Sequence, residues 1–245
     1  CHYRLGEYKS AVDIIQADHK NSERYHGILG CVYMEMRRYD VAKTQFVLAL
    51  QTRYGYLIQP NNNTGTDYYG RPLKSSTMIA QKDAVNFLAQ SPENQLHAIR
   101  DTSPDIIANL ICLANVCSKS GKYPQAACYK KALQCLYELY GDGVIVLEAG
   151  QILNNLGINF RKSGEYYKAD ECFDQARYIY TELQPESLDY AYAFHNQGLV
   201  HHIYLKDSER GESLYREDLN IYTRLYPSNP YIPKIRAKLS ELASE

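Results

Sequence analysis

The run Leu153-Asn154-Asn155-Leu156-Gly157-Ile158-Asn159-Phe160-Arg161-Lys162-Ser163-Gly164-Glu165-Tyr166-Tyr167-Lys168-Ala169, closed by Phe173 and Ala176, decides the fold of this 245-residue chain. Leu153, Leu156, Gly157 and Phe160 recur at helical spacing on one face, which predicts a first helix. Gly164 supplies a turn, and Tyr166, Ala169, Phe173 and Ala176 form the apolar stripe of a second. Small Gly157 and Ala169 stand where the two backbones must approach closely, with Phe160, Tyr166 and Phe173 filling the space around them. A single hairpin of this kind cannot bury its own apolar face, so it demands neighbours of the same kind.

The chain supplies them. Tyr8, Tyr39, Tyr123 and Tyr166 each stand three residues before an alanine: Ala11, Ala42, Ala126 and Ala169. Their intervals are 31, 84 and 43 residues, and helical hairpins recurring at such periods mean an α-solenoid. Residues 1–58 read as N-terminal hairpins, the first lacking most of its opening helix, as though cut from something larger. In the second, His26, Leu29, Gly30 and Tyr33 face Tyr39, Ala42, Phe46, Ala49 and Leu50. Residues 59–104 read as an irregular insertion. It holds a polar loop around Pro60-Asn61-Asn62-Asn63-Thr64-Gly65, a helix with Ile79, Ala80, Ala84, Phe87 and Leu88, and a short turn at Leu96–Ile99. Residues 105–227 read as three long hairpins, introduced by Ser103-Pro104 in the usual cap-plus-proline arrangement. Tyr129, Leu133, Leu136 and Tyr140 are expected inside. The third hairpin has lost the turn signature and carries Lys206-Asp207-Ser208-Glu209-Arg210-Gly211 in its place. Residues 228–245 form a capping helix with Ile232, Ile235, Leu239 and Leu242 inward and Lys234, Arg236, Lys238 and Glu241 outward, the polar outer side a terminal repeat needs.

Composition narrows the function. The formal net charge is −1, with no long run of one sign. That argues against bulk nucleic-acid binding, which needs a basic footprint, and against an electrostatic membrane anchor. No run of about 18 apolar residues exists to span a bilayer. Twenty-four Tyr against five Phe and no Trp suggest a core and groove built from amphipathic rings. The seven Cys lack CxxC pairs, and read as reduced, buried small hydrophobes. Asn62-Asn63-Thr64 fits a glycosylation acceptor, a pattern common by chance, and no signal peptide is visible. A cytosolic or nuclear setting is the expectation.

Leu29-Gly30, Tyr33, Tyr39, Ala42, Phe46 and Ala49, and again Leu156-Gly157, Phe160, Gly164, Tyr166, Ala169, Phe173 and Ala176, resemble the tetratricopeptide repeat consensus. The longer repeats, with Leu153-Asn154-Asn155-Leu156 and the linker Leu225-Tyr226-Pro227-Ser228-Asn229-Pro230, resemble the subtype of about 42 residues found in kinesin light chains. The resemblance implies binding of a peptide or partner helix in a concave groove lined by the first helix of each hairpin. Such a groove uses Asn and Lys/Arg to satisfy a peptide's backbone and carboxylates. Carried over position by position, it consists of Asn115 and Lys119; Gln151, Asn154, Asn155, Ile158, Arg161 and Lys162; and Tyr192, His195, Asn196, Leu199 and His202. Asn154/Asn155 and His195/Asn196 occupy matching positions, so neighbouring hairpins would present paired amides. The matching positions of the other hairpins hold Ile111 and Cys112, and Gly27 and Ile28. The clamp with which chaperone-binding members of the family hold a terminal carboxylate is therefore absent, and an internal peptide or a folded partner is expected.

Catalytic readings are poor. His195 and His202 lie seven residues apart, roughly 10 Å by helix rise, too far to share a metal; His201 is expected in the core. Cys112 and Cys117, and Cys128 and Cys135, lack zinc-ligand spacing. No nucleophile elbow, Walker loop or dinucleotide fingerprint occurs. The expectation is a non-catalytic protein-interaction scaffold or adaptor with no cofactor and no metal. The alternatives are a regulatory or substrate-docking arm of a larger enzyme or assembly, and a self-assembling structural subunit.

Overall fold

A computed structural model describes residues 8–18, 23–58, 96, 99, 102–120 and 125–244. The expected polar loop and helix of the 59–95 region lie outside them, as do the turns at Gly6 and Gly121. The described residues hold ten α-helices: α1 (Tyr8–Asp18), α2 (Glu23–Glu35), α3 (Tyr39–Ile58), α4 (Pro104–Ser120), α5 (Gln125–Tyr140), α6 (Leu147–Lys162), α7 (Tyr166–Leu183), α8 (Leu188–Leu199), α9 (Ser208–Leu225) and α10 (Ile232–Leu242). A π-helical segment, Val200–Leu205, extends α8. No strand occurs among the described residues. The chain divides into two compact units, residues 1–139 and 140–245. Each is a stack of helical hairpins of the α-solenoid class.

One packing device recurs. A Cβ on Gly157 would lie 2.7 Å from the Phe173 ring, one on Gly30 would lie 2.6 Å from Phe46, and one on Gly198 would lie 2.8 Å from Tyr215. In these three hairpins a glycine of the first helix thus lets an aromatic ring of the second lie against bare backbone, where a side chain would collide. The partner is the ring one turn beyond the signature alanine: Ala169 itself is wholly buried, yet it is Phe173 that covers Gly157. Gly164, at φ +81°, makes the turn between α6 and α7 in the left-handed region that favours glycine.

In the first unit α2 packs on α3, α3 on α4, and α1 on α2. Val12, Leu29 and Val32 form a small core edged by Tyr8, Ile15, Tyr33 and Met36. His26 Nδ1 bonds Gln45 Oε1 at 2.8 Å and ties the second hairpin across its seam. Pro104 opens α4, and Tyr129 of α5 donates its hydroxyl to Asn115 Oδ1 of α4. Tyr129 and Leu136 are buried as expected, whereas Leu133 is half-buried and Tyr140 is 56% exposed at the last residue of its helix. Tyr140 points out because α5 ends there and Gly141, at φ +98°, redirects the chain.

In the second unit α6 pairs with α7, α8 with α9, and α10 closes on α9. Ile232, Ile235 and Leu242 of α10 join Phe194, Leu214, Tyr215, Ile221 and Tyr222 in one core, with Leu239 packed at its margin. Lys234, Arg236 and Glu241 face outward, as a capping helix requires.

Candidate functional site

Within the second unit, the first helices α6 and α8 touch side by side. Asn196 Nδ2 of α8 donates to Asn154 Oδ1 of α6 at 3.3 Å. Around that bond Asn155, Ile158, Arg161 and Leu199 are half-buried, Gln151 and Lys162 are exposed, and Tyr192 is 40% exposed. Asn159 Nδ2 is spent locally, on the backbone oxygen of Asn155 one turn earlier. Arg161 keeps an unused donor: its Nε is shielded from solvent and finds no acceptor among the described residues. The strip carries no carboxylate, since residues 149–164 and 190–206 contain no Asp or Glu. The second helices differ sharply, with Asp170, Glu171, Asp174 and Glu182 on α7 and Glu209, Glu212, Glu217 and Asp218 on α9.

Other expected groove residues stand elsewhere. Asn115 belongs to the first unit and accepts the Tyr129 hydroxyl, so its amide oxygen faces its own hairpin. Lys119 lies on α4, but its side chain is outside the described residues. The two histidines require correction. His195 is 8% exposed and His202 is 2% exposed; neither lines a surface. His195 Nδ1 is hydrogen-bonded to Asp218 Oδ2 at 2.9 Å, with Asp218 wholly buried. The His195 ring lies between Tyr215 and Tyr231, at centroid separations of 5.6 and 5.0 Å.

His201, expected inside, is the less buried member of its pair. Its Nε2 meets Asp170 Oδ1 at 2.9 Å and its Nδ1 meets Asp207 Oδ2 at 3.2 Å. The physical reason is the π-helical turn at Val200–Leu205. A π turn takes an extra residue per turn relative to an α turn, so the inward position after Gly198 passes from His201 to His202. The segment ends at Lys206 in a left-handed conformation, φ 58°. Gly211 then packs against the backbone of His202, where a Cβ would lie 3.1 Å from its nitrogen.

A polar seam centred on buried Gln197 joins α7 to α8. Gln197 is fully buried; its Nε2 donates to Asp170 Oδ1 at 2.6 Å and Asp174 Oδ1 at 2.9 Å, and its Oε1 accepts from Arg177 at 2.5 Å. Arg177 also covers the Phe194 ring, 4.3 Å from its centroid. Sequence reasoning missed this seam, although Asp170, Asp174 and Arg177 recur at helical spacing on one face of α7 and could have flagged it. It missed Asp218 as well, whose signal was a carboxylate on the apolar stripe Tyr215-Asp218-Tyr222. Burial raises the Asp218 carboxyl above its ordinary range, against the opposing pull of the His195 bond.

Among the described residues no group of three or more His, Cys, Asp or Glu side chains is placed to hold a metal ion. No described helix is long and apolar enough to cross a membrane. Residues 148–225 match the family model for the tetratricopeptide repeat. No curated protein matches the chain. Among solved structures, the crystal structure of BtubC (BKLC) from P. vanneervenii is similar, with a TM-score of 0.57 and 15% identity over 98% of this chain and 82% of that one. At that identity the likeness is one of fold.

Proposed function

With residues 148–225 being tetratricopeptide repeats, the repeat of protein-interaction modules, we propose that the face shared by α6 and α8 binds an extended polypeptide segment of a partner protein. The observation that carries the reading is the Asn154–Asn196 contact, which aligns two first helices so that one strip of donors runs across both. In this reading Gln151, Asn155 and Asn196 pair with the peptide backbone, whose amides and carbonyls need partners once a side leaves water. Arg161 and Lys162, in the last turn of α6, take a carboxylate side chain. Ile158, Leu199 and Tyr192 provide the apolar floor. His195 and His202 act from beneath, as supports of α8.

The cations of the strip, Arg161 and Lys162, are adjacent on one helix and are not supplied by successive hairpins, which favours an internal segment over a terminal carboxylate. The reading assigns no catalytic residue. Its test is capture of partner from native lysate by the intact chain and by the Asn154→Ala/Asn155→Ala chain side by side. Retained helicity with capture reduced several-fold is the expected result, and undiminished capture would sink the reading. Arg161→Glu with Lys162→Glu should weaken capture further and make what remains less dependent on salt.

A further inference from the structure

Four cysteines of the described residues, Cys117, Cys128, Cys135 and Cys172, are buried, as small hydrophobes should be. Cys31 on α2 and Cys112 on α4 are not; both are half-buried. They also stand near each other where α2 meets α4, close enough that each thiol shifts the other's ionisation. The contact has a backbone cause. Gly27, one turn before Cys31, brings α2 so close to α4 that a Cβ there would lie 2.8 Å from Asn109 Oδ1. Three residues after Asn109 comes Cys112, so the two helices run alongside each other through Gly27–Asn109 and Cys31–Cys112 in the same direction.

We propose that Cys31 and Cys112 are a reversible redox pair that closes to an intrachain disulfide between α2 and α4. The oxidant is a low-molecular-weight disulfide. The Cys31 thiolate attacks one of its sulfurs, breaking that S–S bond, forming a mixed disulfide on Cys31 and releasing one thiolate. Cys112, having given up its proton to solvent or to the departing thiolate, attacks the Cys31 sulfur and expels the second small thiol. The two protein thiols are oxidised by two electrons, and the small disulfide is reduced to two thiols. The order of attack follows from their mutual influence, which holds the Cys31 thiol below its ordinary range despite burial and nearby Glu35 and, together with burial, raises Cys112 well above. The product joins two helices separated in sequence by residues 32–111, a long loop to close, so it restrains the unfolded chain strongly.

The test treats the whole purified chain with oxidised glutathione, then blocks remaining thiols and maps the tryptic peptides. Cleavage gives residues 25–37, with Cys31, and residues 101–119, with both Cys112 and Cys117. Fragmentation within the second peptide therefore locates the linked sulfur. The expected result is a Cys31–Cys112 cross-link in the monomer, an unfolding midpoint several degrees higher, and reversal of both by dithiothreitol. Cys31→Ser and Cys112→Ser should each lose the cross-link, and Cys172→Ser should keep it. A link through Cys117, a glutathione adduct that never resolves, a disulfide between two copies, or unreacted thiols would each overturn the proposal. The wild-type map decides the matter without any variant having to fold.

Discussion

The α6–α7 and α8–α9 hairpins share a plan and differ at its centre. Both seat a ring on a glycine, Phe173 on Gly157 and Tyr215 on Gly198. Three residues after the ring, α7 carries Ala176 and α9 carries Asp218, both wholly buried. The first hairpin is consequently closed by apolar contact, and its first helix is free to turn Asn154, Asn155 and Arg161 toward the surface. The second has placed a carboxylate where its neighbour has a methyl group, and must spend His195 to satisfy it. A buried ionisable group commits a partner, because an unpaired one costs several kcal/mol. That commitment takes His195 off the binding face, although its counterpart position in α6 belongs to that face.

The comparison can be broken most severely at Asp218. Asp218→Ala strands His195 in the core, and the chain should lose about 3–5 kcal/mol of stability, measured by urea unfolding. Replacing His195 as well, His195→Asn with Asp218→Ala, copies the α6–α7 pattern and should recover part of that loss. Strict additivity of the two changes would show that the pair is not coupled.

Next come the glycine seats. Gly157→Ala and Gly198→Ala push a Cβ to 2.7 and 2.8 Å from their rings. Each should cost about 1–3 kcal/mol by overpacking, despite the gain in helix propensity. Gly150→Ala, with its nearest ring atom at 3.0 Å, should cost less. Equal effects at all three would refute the ring-on-glycine account.

The pH dependence separates the hairpins more gently. The folded Asp218 carboxyl holds its proton more tightly than the unfolded one, whose pKa is about 3.9. Its contribution to stability is therefore complete below that value and is lost as pH rises through the raised folded pKa. Relative to Asp218→Asn, the wild-type chain should lose stability as pH increases from about 4 toward neutrality. A difference in urea midpoint that stays constant with pH would contradict the burial effect. The smallest change is Tyr215→Phe. Its hydroxyl is buried with no hydrogen-bond partner among the described residues, so removal should be neutral or stabilising by up to about 1 kcal/mol. A loss larger than that would reveal a partner for the hydroxyl.

The hairpins were legible because their causes are local. Helical spacing, a glycine at the crossing and an aromatic sixteen or seventeen residues later survive as a pattern in one dimension, and Leu153, Leu156, Phe160, Ala169, Phe173 and Ala176 are all buried. The candidate face was legible in part. Gln151 and Lys162 are exposed, but Asn196 bonds Asn154, which is the counterpart of His195 and not of Asn196, so that contact was not implied by matching positions. His201 and His202 misled because their phase changes within Val200–Leu205, where an i→i+5 turn shifts the register. His195, which precedes that segment, misled because Asp218 of α9 claims its ring.

By itself, then, the sequence determined an all-α chain of stacked hairpins, the residues that seat each ring, and a first-helix strip free of carboxylates. Those follow from periodicity and composition, which neighbours in the chain already specify. Tertiary structure alone decided which polar residues remain available. Asp218 claims His195, Asp170 and Asp207 flank His201, Gln197 is consumed by α7, and Cys31 finds Cys112. Each of these depends on what another helix presents at the point of contact, and no spacing along one helix encodes that.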